Sequence, residues 1–215
     1  MDRVIHVSDG DLEEFGTDIR RKSVVIPNTL PYKLKFKKKI RPEPTVMFVG
    51  AMAHRANVDG LERFVREAWG DLHNLRPDIA LLIVGANPPP EIRAFHGKRN
   101  IHVMGYVDDL SGLYEKSKIA IAPGYIGSGS RLKIAEAMMH STLNISTPKG
   151  AEGLPVEDGK HIVIASSPQA WIGSILHYID NPEERLAIEK NAHALSENLC
   201  YYKNYQDVIG RCLAD

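Results

Sequence analysis

The residues best placed to do chemistry lie between Pro123 and Glu136, in the stretch PGYIGSGSRLKIAE. Gly127, Ser128, Gly129 and Ser130 form a small, hydroxyl-bearing loop that opens a predicted helix, and the first turn of that helix carries Arg131 and Lys133. A helix N-terminus exposes free N–H groups and a partial positive charge, so each cation there is unfavourable by roughly 0.3–1 kcal/mol. An anion would reverse that sign. A glycine-rich backbone, two hydroxyls, a helix start and two fixed cations together suit a dianion such as a pyrophosphate. The plainer alternative is that Ser128 or Ser130 caps the helix and both cations are solvated. The pattern is not GxxxxGK[ST], and its lysine falls inside the helix, which argues against a P-loop nucleotidase. Glu136 follows four residues after Leu132 and three before Met139, so its carboxylate shares a face with apolar side chains. A half-buried carboxylate needs a partner. Lys133 at i, i+3 is one candidate, and the vicinal hydroxyls of a ribose are the other. A pyrophosphate at the helix start with a ribose one turn further in is the layout of a nucleoside diphosphate.

Two more loops offer contacts. VGAMAHRANVDG places Gly50 at a strand end and Arg55 just before a helix. It is not GxGxxG and lacks the downstream ribose carboxylate, so a nicotinamide dinucleotide is disfavoured. Gly50 serves equally well as a tight strand exit. MGYVDDL offers Gly105, Tyr106 and Val107 to flank a base through a ring face and backbone amides, although a purely structural tyrosine fits as well. Asp108 and Asp109 read as a helix cap rather than an acid and base pair. The nine histidines show no metal-ligand spacing, and no nucleophile sits beside a base, so neither metal nor cofactor is expected.

These loops need strands and helices to hold them. From Thr45 onward, short apolar runs alternate with helical patterns, the signature of an α/β domain with a Rossmann-like parallel sheet flanked by helices. Strands are predicted at Thr45 to Val49, Ile79 to Val84, Ile101 to Met104, Ile119 to Ala122, Leu143 to Ser146 and Ile162 to Ala165. Leu61, Phe64, Val65, Ala68, Leu72 and Leu75 mark one buried helix face between the first two. Helices are predicted over Pro168 to Asp180, Pro182 to Asn198 and roughly Tyr201 to Ala214. The domain therefore spans 45–198, with a C-terminal helix in 199–215. Residues 1–44 do not belong to it: two strands at Val4 to Val7 and Ser23 to Ile26, around a short helix, lead into the linker KLKFKKKIRPEP. Lys33, Lys35, Lys37, Lys38, Lys39 and Arg41 alternate in part with Leu34 and Phe36, which suits either a solvated seam between domains or peripheral contact with an anionic membrane. Twenty-seven basic residues balance 27 acidic ones, so no nucleic-acid partner is indicated. Two cysteines and an N-terminus without an apolar signal segment fit a cytoplasmic setting, and no apolar run approaches the ~20 residues that span a bilayer.

With these residues in view, FVGAMAHRANVDGLERF, LLIVGANP, HVMGYVDDLSGLYEKSKIAIAP, GSGSRLKIAEAM and STPKGAEGL resemble the C-terminal, donor-binding domain of the group 1 (family four) retaining glycosyltransferases of GT-B architecture. The likeness covers about Thr45 to Asn198. HVSDGDLEEFG and VVIPNTL are similar to the last strand, helix and strand of the family's N-terminal acceptor domain. The resemblance implies a hexosyltransferase that takes a sugar from UDP or GDP to a saccharide or lipid-linked acceptor, held by a missing domain or a partner protein. It assigns the ribose to Glu136, the pyrophosphate and donor sugar to Gly127–Ser130, and the base to the border formed by Gly105–Val107. Arg131 and Lys133 follow a subgroup pattern and are expected to stabilise the leaving diphosphate. Ser128 stands where many relatives carry a second glutamate, and Ala51 and Ala56 stand where an arginine and a lysine are usual, leaving Arg55 nearest. Those departures keep open a non-catalytic nucleotide-binding module, and an epimerase or phosphorylase of the same architecture is the enzymatic alternative.

Overall fold

The computed structural model describes residues 4–6, 22–26, 29–37, 41–127, 131–199 and 201–214. Near the N-terminus, β1 (Val4–His6) and β2 (Ser23–Val25) pair in parallel. Parallel pairing requires a crossover, and the helix expected there lies outside the described residues. The main domain begins with β3 (Thr45–Val49), followed by α1 (Arg55–Phe64), a π turn (Val65–Trp69) and α2 (Gly70–Leu75). Next come β4 (Ala80–Val84), α3 (Pro90–Arg93), β5 (Ile101–Gly105), α4 (Ser111–Lys116) and β6 (Ile119–Ala122). The chain continues through α5 (Leu132–Met139), β7 (Leu143–Ser146), α6 (Pro148–Ala151), β8 (Val163–Ile164), α7 (Pro168–Asp180) and α8 (Pro182–Leu199). A 3-10 turn (Tyr202–Tyr205) precedes α9 (Gln206–Ala214), where one continuous helix was expected. Strand boundaries agree with the apolar runs to within a residue.

Six strands form one sheet in the order β5-β4-β3-β6-β7-β8, and every adjacent pair is parallel. Helices cover both faces of the central strands, so β3 and β6 are buried along almost their whole length, while the edge strand β5 alternates, with His102 and Met104 exposed. In β3, Val46 and Phe48 face Leu61, Phe64 and Trp171, while Met47 faces Tyr114, Ala120 and Ala137 on the opposite side. The predicted helix face holds from Leu61 to Leu72, but Leu75 is 62% exposed. The π turn adds one residue per turn, which rotates the face and brings Trp69 into the core.

Strand order reverses between β3 and β6, the switch point beside which sheets of this kind form a ligand crevice. The two sides meet at Gly60 of α1, where a Cβ would lie 1.8 Å from the Pro123 carbonyl oxygen in the loop after β6. Only glycine permits that approach.

The linker is docked. Tyr32, Leu34 and Phe36 are half-buried and Lys33, Lys35 and Lys37 exposed, a period of two along an extended segment. Tyr32 and Leu34 pack on Ala135 and Met139 of α5, and the Phe36 ring meets His193 edge-on at 5.5 Å. The apolar side that suited a membrane is thus used within the chain. Arg41 does not belong to the exposed basic row: its guanidinium is buried, donating to Glu189 Oε1 at 2.7 Å and to the Ser141 carbonyl at 2.7 Å. Lys38 and Lys39 lie outside the described residues.

Candidate functional site

The loop after β6 and the start of α5 form one wall of the crevice. Gly127 has a φ of +87°, which its missing Cβ allows without strain. Ser128, Gly129 and Ser130 lie outside the described residues. The helix begins at Leu132, with Arg131 at the cap position and neither a side-chain cap nor an acidic residue in the first turn. The two cations behave differently. Arg131 is inward-facing, donating to the carbonyls of Lys149 (2.6 Å), Glu152 (3.3 Å) and Gly127 (3.5 Å), and its Nη2 lies 3.7 Å from the Glu152 carboxylate. It therefore ties the glycine loop to the KGAE segment, and burial lowers its pKa.

Lys133 crosses the crevice. Its Nζ donates to Asn57 Oδ1 in α1 and sits 4.7 Å from the centroid of the Phe48 ring. Among the described residues, no carboxylate forms an ion pair with it. Burial, and then the neighbouring Arg131 charge, push the ammonium down to about 8. A desolvated cation beside a second cation, without an internal counter-ion, favours an external anion.

Glu136 is one turn further along α5 and does not pair with Lys133. Its Oε1 accepts from Tyr32 Oη at 3.1 Å and its Oε2 from Tyr114 Oη at 3.3 Å. Tyr114 is fully buried and stacks on His140 with centroids 4.5 Å apart and planes 13° apart. Burial first, and then the Glu136 charge, raise the pKa of both phenols, which keeps them as donors. The carboxylate is thereby held in one orientation, with lone pairs to spare for a diol.

On the opposite wall, Gly50 follows β3, and its N–H donates to the Val84 carbonyl at 3.0 Å. Arg55 heads α1 but turns outward, 70% exposed, toward Asp59 at 2.7 Å and Glu91 at 3.4 Å. Gly105 closes β5 with φ +71°, Tyr106 is 72% exposed and donates to Asp108 at 3.1 Å, and Val107 is half-buried. Asp109 accepts from the Ser111 N–H at 2.9 Å, but the cap position of α4 is Leu110, without a side-chain cap bond, and Asp108 is engaged by Tyr106, so neither aspartate is the helix cap expected. Sequence reasoning missed Asn57, Tyr32 and Tyr114. Tyr32 lies 104 positions from Glu136, and Asn57 lies 76 from Lys133, beyond any local spacing rule. Among the described residues, no three His, Cys, Asp or Glu side chains gather as a metal-binding group, and no helix is long and apolar enough to cross a membrane.

A six-stranded parallel sheet flanked by helices, its order reversing between β3 and β6, defines a Rossmann-like α/β domain. The family profile described as "Glycosyl transferases group 1" matches residues 43–181, and the chain belongs to that family. By sequence, no protein of curated function matches the chain. Among solved structures it is similar to a mutant of S. aureus TarM in complex with fondaparinux, alpha-GlcNAc-glycerol and UDP, at 16% identity and TM-score 0.77, covering 98% of this chain and 43% of TarM. HepE from Anabaena, in complex with UDP and glucose, is similar at 14% identity and TM-score 0.78, over 100% of this chain and 63% of HepE. The C-terminal domain of the group 1 glycosyl transferase LpcC from Francisella tularensis is similar at 18% identity and TM-score 0.60, over 74% of this chain and 87% of that domain. The chain thus spans less than two thirds of TarM and of HepE, and its fold is that of the C-terminal half of a GT-B enzyme.

Proposed function

We propose that this chain is the donor-binding half of a retaining glycosyltransferase whose acceptor site is supplied by another domain or a partner protein. The donor is a UDP-sugar or GDP-sugar lying across the switch point. Lys133 and the N–H groups at the start of α5 face the diphosphate, Arg131 adds a second fixed positive charge from its tie to the 149–152 backbone, and the Gly127–Ser130 loop is assigned to the same group. Glu136 receives the ribose hydroxyls, and Gly105–Val107 border the base. The observation that carries this reading is the Lys133 ammonium, desolvated beside Arg131 with no carboxylate paired to it among the described residues.

As the bond between the sugar and the diphosphate breaks, negative charge grows on the departing oxygen. Two prepositioned cations and the helix N–H groups stabilise that charge without reorganising, which lowers the barrier. The acceptor hydroxyl bonds to the same carbon, and its proton leaves with the diphosphate. Residues 1–44 are the close of the acceptor domain and the connection to it, and the working location is the cytoplasm. The presence of UDP in the TarM and HepE complexes supports the nucleotide class.

Isothermal titration with UDP and with GDP tests the reading. At least one nucleotide should bind, and Arg131→Ala combined with Glu136→Ala should remove the heat signal. No binding of either nucleotide, or binding indifferent to the double substitution, overturns it.

A further inference from the structure

The structure assigns to Asn57 a role no local motif announces: we infer that it is a positioning residue that aims the Lys133 ammonium at the donor diphosphate while leaving its charge unneutralised. The inference rests on the nucleotide-diphosphate reading of the crevice.

Asn57 is bonded at both ends of its amide. Its Nδ2 donates to the Ala51 carbonyl at 2.9 Å, which fixes the amide so that Oδ1 faces Lys133. The residue lies in the first turn of α1, on the wall opposite α5. A Cβ on Gly50 would lie 3.0 Å from Asn57 Nδ2, so the loop after β3 closes directly on this amide. A Cβ on Gly127 would lie 3.7 Å from the Ala56 side chain, so the phosphate-side loop borders the same turn. Asn57 therefore holds the lysine head at the meeting point of both loops, although Lys133 is anchored on the other wall.

A neutral acceptor matters here. An ammonium has three N–H donors and no acceptor. One donor goes to Asn57, the Phe48 ring face lies beside the head, and the remaining donor capacity is open to a ligand oxygen. An aspartate would still offer the ammonium an acceptor, but it would lose the donor to the Ala51 carbonyl and would form an ion pair that cancels the charge an anion requires. The charged group acting on the ammonium is Arg131, itself turned to the 149–152 backbone and Glu152. Arg55, on the same helix as Asn57, is already engaged by Asp59 and Glu91. Because burial already pulls the Lys133 ammonium down to about 8, its hold on an anion should be sensitive to pH near neutrality.

The test is titration of UDP and GDP into the full chain between pH 6 and pH 10, for the wild type, Asn57→Ala and Asn57→Asp, with near-ultraviolet circular dichroism to verify that each variant is folded. Asn57→Ala should weaken binding about tenfold at neutral pH, the scale of one hydrogen bond to a charged group, and move the alkaline loss of affinity to lower pH. Asn57→Asp should bind at least as weakly, with the alkaline loss moved upward because the ion pair holds the proton on. A purely structural role, through the bond to the Ala51 carbonyl, predicts instead that both variants weaken binding alike and leave its pH profile unmoved. Wild-type affinity in Asn57→Asp, or unchanged pH profiles in both variants, overturns the inference while leaving the nucleotide reading intact. Absence of wild-type binding to either nucleotide overturns that reading, and this inference with it.

Discussion

Two places in this domain bring a pair of cations together in poorly hydrated surroundings, and they resolve the problem in opposite ways. Behind the sheet, Arg41 and Arg185 share one carboxylate: Glu189 Oε1 lies 2.7 Å from Arg41 Nη1 and 3.5 Å from Arg185 Nε, and all three side chains are buried. Arg41 also donates to the Ser141 carbonyl and Arg185 to the Tyr178 carbonyl, at 2.7 and 2.6 Å. At the crevice, Arg131 has the Glu152 carboxylate at 3.7 Å, but Lys133 has none among the described residues and rests on an amide oxygen and a ring. The first cluster carries its counter-ion as part of the fold and binds the linker to α8. In the second, Lys133 has no internal counter-charge among the described residues. A cation's burial alone therefore does not distinguish the two sites; the presence of an internal counter-charge does.

The largest expected effect comes from breaking the closed cluster. Glu189→Ala leaves two guanidinium groups facing each other in the interior, and should lower unfolding free energy by about 3–5 kcal/mol, read from urea denaturation. A loss under about 1 kcal/mol would mean the cluster is water-filled and not the structural element described. The open pair should respond in reverse. Lys133→Met removes a desolvated charge and keeps the chain length, so stability should be unchanged or raised, while nucleotide affinity drops by about 2 kcal/mol, read by titration calorimetry. Equal losses of stability and affinity would erase the contrast between the two sites.

The smallest effect is a pH signature. Lys133 has a folded pKa of about 8, against an unfolded value near 10.4. Between those values the unfolded chain binds more protons than the folded one, so this group makes stability rise with pH across roughly pH 8 to 10.4. Nucleotide affinity should fall over the start of the same window, because the neutral amine no longer attracts phosphate. Opposite slopes of stability and affinity, measured by denaturation and titration in matched buffers, identify the lysine. Parallel slopes would assign the window to another group. Lys133→Met should abolish both slopes.

Much of this was legible in the residues themselves. Strand positions followed from short apolar runs, because a sheet covered on both faces admits little else. The unusual charge at the start of α5 was legible because Arg131 and Lys133 oppose the helix dipole, a purely local conflict. Glu136 stood out as a carboxylate on an apolar face. The same local view left Lys133 and Glu136 as each other's partners, since i, i+3 spacing allows it, and it placed Arg41 in an exposed basic row. Both assignments changed when distant segments arrived: Asn57 from α1 for the lysine, Tyr32 and Tyr114 for the glutamate, Glu189 for the arginine. Periodicity and dipole act within one element, so the sequence by itself determined the sheet, the helices and which residues carry unmet charge. Only the tertiary structure decided which of those charges is answered by a carboxylate and which, among the described residues, meets only a neutral acceptor, because counter-ion and acceptor come from segments that meet only after the sheet has wound both halves around its switch point.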